Sequence, residues 1–570
     1  MEAVVKEKFI SIKSCERKEY YPLSPAQKRL FILQGFEKES SLYNTPVAMR
    51  VEGDVDRVKL EQAFVKLIER HESLRTSFSI IDDQPVQRIH NPEDIKFKIE
   101  YYKAGIRDQG VGSREKQAPP PPLRGHLRAS SPEGNSHPES DRRDLIHQIQ
   151  DFIRPFDLGR DPLLRVGLID QSGEQDSSCI LIIDIHHIVT DGTSMAILTR
   201  EFMDIYTGGE LPVLRLSYRD YSAWQQHDLE KENLLLQDRE EYWLDQFTGE
   251  IPVLNLPLDY QRQKIQSFSG RTVEFDLNKE ETGKLKDIGL EEETTLYMVL
   301  LSLFNILLAK VCGQEDIVVG TPAAGRRHAD LEPVIGMFIN TLALRNAPSG
   351  DKSLRDFLKE VKNSTLTAFE NQEYQFEELV EKVSLNRDAG RNPLFDVMFS
   401  LQNFDERYGR SAGVEIGNLK LKPLKQERNI AKFDMTFTGM EIEDSLYFKI
   451  EYSTGLFRKE TIDRFISYFR KIISAVPFSL DRKISEIEII SEEEKEQVLH
   501  GFNEAVSDYP ADKTIHRLFE EMVEKNPNLI ALTGKVGAGD SSQADEYHTL
   551  TYRELDARAA DAAGALTKKG

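Results

Sequence analysis

Residues 179–195 read CILIIDIHHIVTDGTSM, an apolar stretch of strand length that runs into two consecutive histidines and then an Asp-Gly turn. The stretch from Thr193 onward, TSMAILTREFMDIY, places apolar side chains every three or four positions, the spacing of a helix whose N-terminus lies near the histidines. Strand-like and helix-like segments alternate through most of the chain, as in DRVKLEQAFVKLIERHESL, so the fold class is mixed α/β. A length of 570 residues exceeds what one core usually organises and predicts two to four domains or lobes.

Charge and cysteine usage narrow the function. Lysines and arginines total 74 against 96 acidic residues, a net charge of −22 that repels a phosphate backbone, so no nucleic-acid partner is expected. Cys15, Cys179 and Cys312 have no paired spacing, which removes a disulfide framework and a thiolate metal site and suits a reducing cytoplasm. The charged N-terminus lacks the apolar run of a signal peptide. The longest apolar run, TLYMVLLSLFNILLA at 295–309, is too short to span a bilayer and reads as a buried helix, so no membrane association is expected. Residues 108–144, with four successive prolines and few apolar side chains, read as a disordered insertion, and the polar stretch 534–548 as a surface loop.

Alternation along a strand puts His187 on the face of Ile183 and Ile185, and His186 on that of Asp184. Two histidines pointing apart do not chelate one ion easily, so metal binding is not expected. Asp191 is placed to cap the following helix, and a packed, purely structural pair of histidines is the competing reading. No GxSxG elbow and no GxxxxGK[ST] loop occurs. What remains is a strand-end histidine available as general base or hydrogen-bond partner in an acyl transfer without a covalent enzyme intermediate.

HHIVTDG matches the HHxxxDG motif, and the chain resembles the condensation domains of non-ribosomal peptide synthetases. The motif is accompanied, in the family's order, by SPAQKRLFIL at 24–33, RHESLRTSF at 70–78, YRDYSAW at 218–224, IGMFINTLALR at 335–345, NQEYQFEEL at 371–379 and NRDAGRNPLFDVMFSLQN at 386–403. Gln375 and Gly390 stand where the family commonly has proline and serine. From about residue 493 the text resembles the linker and opening of an adenylation domain, which predicts a truncated start of that domain over 493–570.

The resemblance implies two chloramphenicol acetyltransferase-like lobes, 17–212 and 213–492, forming a V around a tunnel, with an N-terminal extension at 1–16 and GTPAAGRR at 320–327 crossing between lobes. It implies formation of a peptide bond between a donor acyl or peptidyl thioester and an acceptor aminoacyl thioester. Both would arrive on the 4′-phosphopantetheine arms of carrier proteins, and the enzyme itself would bind no cofactor. The expected partners are an upstream donor carrier, a downstream acceptor carrier and the adenylation domain of the same module. His187 is the expected catalytic residue. His186 is expected to pack, and Asp191 to form a buried ion pair with Arg75. Gly192 is expected to permit close backbone approach, and Trp224, Asn340 and Arg391 are expected to be structural. The wording around SPAQKRL and Thr193 resembles the subtype that joins an L-donor to an L-acceptor. The alternative is a folded but catalytically idle scaffold of the same fold.

Overall fold

The computed structural model describes residues 12–36, 40–103, 138–160, 162–171, 178–231, 233–383, 388–403, 414–424, 429–476, 480–503, 510, 512–535 and 547–567. The chain divides into two compact units, Met1–Ile489 and Ile490–Gly570.

Two six-stranded sheets organise the first unit. The first has the order β12 (Val414–Ile416), β13 (Leu419–Pro423), β2 (Val47–Glu52), β7 (Ser178–Ile185), β6 (Leu164–Asp170), β5 (Glu100–Lys103). The second has the order β10 (Asn340–Asn346), β9 (Ile317–Ala323), β11 (Val397–Asn403), β14 (Met435–Ile442), β15 (Ser445–Ser453), β8 (Gly270–Leu277). A small third sheet joins β1 (Tyr21–Pro22), β4 (Gln84–Ile89) and β3 (Thr76–Ile81). β7 lies inside the first sheet with antiparallel neighbours on both sides, Val47 facing Ile183 and Leu164 facing Ile185, so both of its edges are hydrogen-bonded.

Helices cover the sheets with their apolar faces. Arg57–Arg70, capped by Asp56, buries Leu60, Ala63, Phe64, Leu67 and Ile68 in the core of the first sheet, alongside Ile197, Leu198 and Phe202 of helix Gly192–Thr207. The apolar run at 295–309 forms helix Leu296–Cys312, started by the Thr295 side chain and stopped at Gly313 with φ 65°. Every residue from Met298 to Leu308 is buried in the core of the second sheet, which accounts for its all-round apolarity. Among the described residues no single helix is long and apolar enough to cross a membrane.

Several expectations shift. Helix Pro138–Phe152 begins inside the stretch read as an insertion, because its first turns are polar and carry no apolar period; residues 104–137 lie outside the described residues. Within the expected extension 1–16, residues 12–15 are held down: Ile12 is buried, and the Cys15 N–H and Ser14 hydroxyl both donate to the Asp220 carboxylate. The first residues of segment 320–327 end the strand Ile317–Ala323 of the second sheet, and Arg326, further along it, reaches Asp191. A crossing between sheets is made by β12 and β13, which come from beyond residue 212: β13 pairs with β2 of the first sheet, and β12 pairs with β13 at its edge.

In the second unit, β16 (Ile530–Lys535) pairs with β17 (Tyr547–Thr551) beside helices Ile515–Lys525 and Tyr552–Thr567. Gly534 and Lys535 face His548 and Tyr547 in that pair, so the ends of the expected loop 534–548 are strand; residues 536–546 lie outside the described residues.

Candidate active site

β7 stops at Ile185, and His186 extends its register by one isolated bridge to Asn44. The two histidine backbones are then held from opposite sides. The His186 N–H donates to the Leu163 carbonyl (3.0 Å) and the His187 N–H to the Tyr43 carbonyl (2.8 Å). A short 3-10 turn, His187–Val189, carries the chain to Asp191.

The side chains enter unlike environments. His186 is fully buried, with its ring edge-on to Phe156 at 6.0 Å and tilted against Tyr43 at 6.4 Å. Its Nδ1 accepts the Ile188 N–H (3.1 Å), which puts the ring proton on Nε2. Behind it the buried Asp184 carboxylate accepts from Asn44 (2.8 Å) and Arg165 (3.4 Å), and the Arg165 guanidinium lies 3.6 Å from the centre of the Phe156 ring. Burial, assisted by the charges of Lys432 and Arg165, lowers the pKa of His186 to about 3.

His187 is only half-buried. Its Nδ1 lies 2.8 Å from the Thr190 carbonyl, which can only accept, so Nδ1 carries the proton and Nε2 is the basic nitrogen. Burial and then the charge of Lys432 lower its pKa to about 4, so the imidazole is neutral at pH 7.

Asp191 is buried and fully engaged. Oδ1 accepts the Ser194 N–H (2.7 Å) and caps helix Gly192–Thr207, while Oδ2 accepts the Phe338 N–H (3.0 Å). Its charge partner is Arg326, in a two-pronged contact of 2.8 and 3.1 Å with side chains 5% and 0% exposed. Arg326 also donates to Ser194 Oγ (2.8 Å) and the Val334 carbonyl (3.2 Å), and stacks 4.1 Å above the Phe338 ring. Two glycines make this approach possible. Gly325 has φ 66° and a Cβ there would lie 2.0 Å from the Phe338 carbonyl; a Cβ at Gly336 would lie 1.9 Å from the Tyr218 ring.

The expected pairing of Asp191 with Arg75 is therefore corrected. Arg75 ends the 3-10 turn Glu72–Arg75, contacts Glu72 at 3.6 Å and donates to the His90 carbonyl, directed to the small sheet rather than to the histidines. Gly192 is exposed, and among the described residues a Cβ there would meet no atom within 4 Å, so the close backbone approach expected there is not made by any of them. Asn340 holds the Gln372 and Tyr374 carbonyls and the Phe376 N–H, and Arg391 pairs with Asp396. The residues that sequence reasoning passed over are Arg326, Phe338, Tyr43 and Lys432. Of these, Arg326 had a signal, an arginine just after a glycine at the end of an apolar strand.

Fold and site together define an α/β protein built on two large sheets, with a neutral imidazole just past the end of a central strand. Comparisons give the family. The description "Condensation domain" matches residues 17–117 and 135–499. Gramicidin S synthase 2 of Aneurinibacillus migulanus is 41% identical over 565 residues, covering 99% of this chain and 11% of the relative. Bacitracin synthase 3 of Bacillus licheniformis is 40% identical over 562 residues, covering 99% and 8%. The chain thus spans about a tenth of the length of these relatives. Among solved structures, the X-domain from teicoplanin biosynthesis matches with a TM-score of 0.71 at 22% identity, over 84% of this chain and all of that one. A four-domain nonribosomal peptide synthetase bound to AMP and glycine matches with 0.70 at 21% identity, over 99% of this chain and 40% of that one. The chain belongs to the condensation-domain family, the amide-forming acyltransferases of nonribosomal peptide synthetases.

Proposed function

We propose that this chain joins the acyl or peptidyl group of a donor thioester to the amine of an acceptor aminoacyl thioester, both carried on phosphopantetheine arms of carrier proteins. The observation that carries the reading is the state of His187: Nδ1 is committed to the Thr190 carbonyl and Nε2 is neutral and basic. The acceptor nitrogen attacks the donor carbonyl carbon, the C–N bond forms, and the C–S bond breaks. His187 Nε2 takes the proton released by the nitrogen and returns it to the departing thiolate. An amine with an ordinary pKa near 8 is partly neutral at pH 7, so alignment of two tethered reactants supplies much of the acceleration. Arg326 and Asp191 tie helix Gly192–Thr207 to segment 334–338 and so fix the loop that presents His187.

Both partners are proposed to carry L-residues, and residues 493–570 to correspond to the linker and opening of an adenylation domain. Support for the latter is that the relatives align over 99% of this chain. The test is to incubate the chain with a donor carrier and an acceptor carrier, each loaded, and to look for a dipeptidyl thioester on the acceptor by intact-protein mass spectrometry. Product that forms much more slowly in His187→Ala is expected. No product from any pair accepted by a 40%-identical relative would favour the idle scaffold.

A further inference from the structure

A polar cavity of about 150 Å³ lies between the 3-10 turn Glu72–Arg75, which leads into β3, and the start of helix Tyr218–Lys231, with Val334 and Ile335 on a further side. Its charged lining is unevenly matched. Arg70 is engaged by Glu201 (2.9 and 3.3 Å) and the Pro212 carbonyl, and Arg215 pairs with Asp330. Asp220 accepts four donors at 2.8–3.1 Å, the Ser14 and Ser217 hydroxyls and the Cys15 and Ser217 N–H groups, and stands 3.9 Å from Arg219 Nε, beyond hydrogen-bond reach. Two guanidinium groups are left facing one carboxylate: Glu72 Oε1 lies 3.3 Å from Arg219 and 3.6 Å from Arg75. Among the described residues, the Arg75 side chain makes one hydrogen bond, to the His90 carbonyl (2.5 Å), and that of Arg219 one long one, to the Tyr21 hydroxyl (3.5 Å). The Nε–H of each is buried without a partner. A guanidinium carries five N–H donors and stays charged, and these two side chains are only 11% and 12% exposed, so most of their donors lack the acceptors that burial demands.

We propose that this cavity is a binding site for an oxyanion of the phosphate class, held between the Arg75 and Arg219 guanidinium groups. Such an anion presents several acceptor oxygens around one centre, so it can take N–H groups from two arginines on different elements at once, and its charge balances the cation that Glu72 alone leaves unmatched. The volume suits it, since a cavity of this size accommodates a benzene-sized guest. Glu72 has two effects: it holds the two like charges together, and it repels an arriving anion. The Ile335 carbonyl accepts from Ser73 Oγ (2.6 Å) and the Val334 carbonyl from Arg326, so one wall of the site belongs to the segment that carries Phe338 to Asp191. The site is separate from the chemistry at His187 and does not rest on it.

The test is isothermal titration of the 570-residue chain with inorganic phosphate at pH 7, ionic strength being held constant with chloride. Saturable uptake at one site per chain is expected, with acetate, which has two oxygens and a single charge, bound about tenfold more weakly. Arg219→Gln should weaken phosphate binding about tenfold, the loss of one charge-assisted contact. Glu72→Gln should tighten it by a similar factor, whereas a variant that merely disturbed the turn would weaken it. Lys279→Gln, which removes an exposed cation elsewhere on the surface, should bind phosphate as the wild type does. Melting temperature in phosphate-free buffer reports the folding of each variant, and added phosphate should raise that of the wild type and not that of Arg219→Gln. The proposal is overturned by no saturable uptake in the wild type, by equal affinity for acetate, by weaker binding in Glu72→Gln, or by an equal loss in Lys279→Gln.

Discussion

Asp191 and Arg326 are 135 residues apart in sequence and form a buried, two-pronged pair, and their coupling is measurable. Removing one partner of a buried ion pair leaves an uncompensated charge and typically costs about 3–5 kcal/mol. Arg326→Ala leaves the Asp191 carboxylate the N–H groups of Ser194 and Phe338, and Asp191→Ala leaves the guanidinium only Ser194 Oγ and the Val334 carbonyl. Each single variant is therefore expected in the lower part of that range for Arg326→Ala and the upper part for Asp191→Ala. The double variant should cost less than the sum by about 1–3 kcal/mol, the size of coupling seen between residues in direct contact. Arg75 supplies the control, since Arg75→Ala and Asp191→Ala should add to within about 0.5 kcal/mol. The assay is urea denaturation followed by fluorescence for the singles and both doubles. Additivity of Asp191 with Arg326, or coupling of Asp191 with Arg75, would refute the pairing described here.

The histidines should separate cleanly. His187→Ala should lower single-turnover dipeptide formation by roughly 10²–10⁴ with an unaltered melting temperature, whereas His186→Ala should cost about 0.5–3 kcal/mol of stability with a milder loss of rate. Acid sensitivity follows from His186, whose folded pKa of about 3 lies below its ordinary 6.5. Between those values the unfolded chain binds a proton that the folded chain refuses, so stability is full above pH 6.5 and falls as pH drops, by about 1.4 kcal/mol per pH unit for one group. His187, lowered to about 4, adds a like slope, so His186→Gln should roughly halve the fall these two rings cause between pH 6 and 4 in urea titrations, and an unchanged slope would count against a buried neutral ring at His186. Deleting residues 118–134, where the family description finds no counterpart, should leave melting temperature and dipeptide formation unchanged; a large drop in either would assign that stretch a role.

The site was legible where the information is local. The strand ends at Ile185, one bridge carries its register to His186, and His187 opens a 3-10 turn, while the Asp191 cap is written within three residues of its partner Ser194. Arg326 was missed for the opposite reason: its partner is distant in sequence, and segment 320–327 reads locally as a connection between lobes. Family wording pointed to Arg75 instead, a residue whose own neighbours, Glu72 and His90, occupy it. The same limit applies to β12 and β13. Nothing in their short sequences says which sheet they join, since pairing partners are chosen by the whole arrangement and not by propensity.

That hairpin bears on how the chain can be cut and recombined. Residues 414–423 supply two strands to a sheet whose remaining members all precede residue 186. A fragment ending at 212 would expose the outer edge of β2, where the backbone groups over Met49–Glu52 that now face β13 would be left unpaired and invite association with other chains. A chimera that exchanged only residues 17–212 would make a foreign β2 accept the host's β13, with Lys422 on the host strand and Glu52 on the graft forming one ion pair across the joint. Graft boundaries that carry 414–423 together with the first sheet would keep the native seam, and split versions of the chain should recombine most readily when the second piece begins before that hairpin.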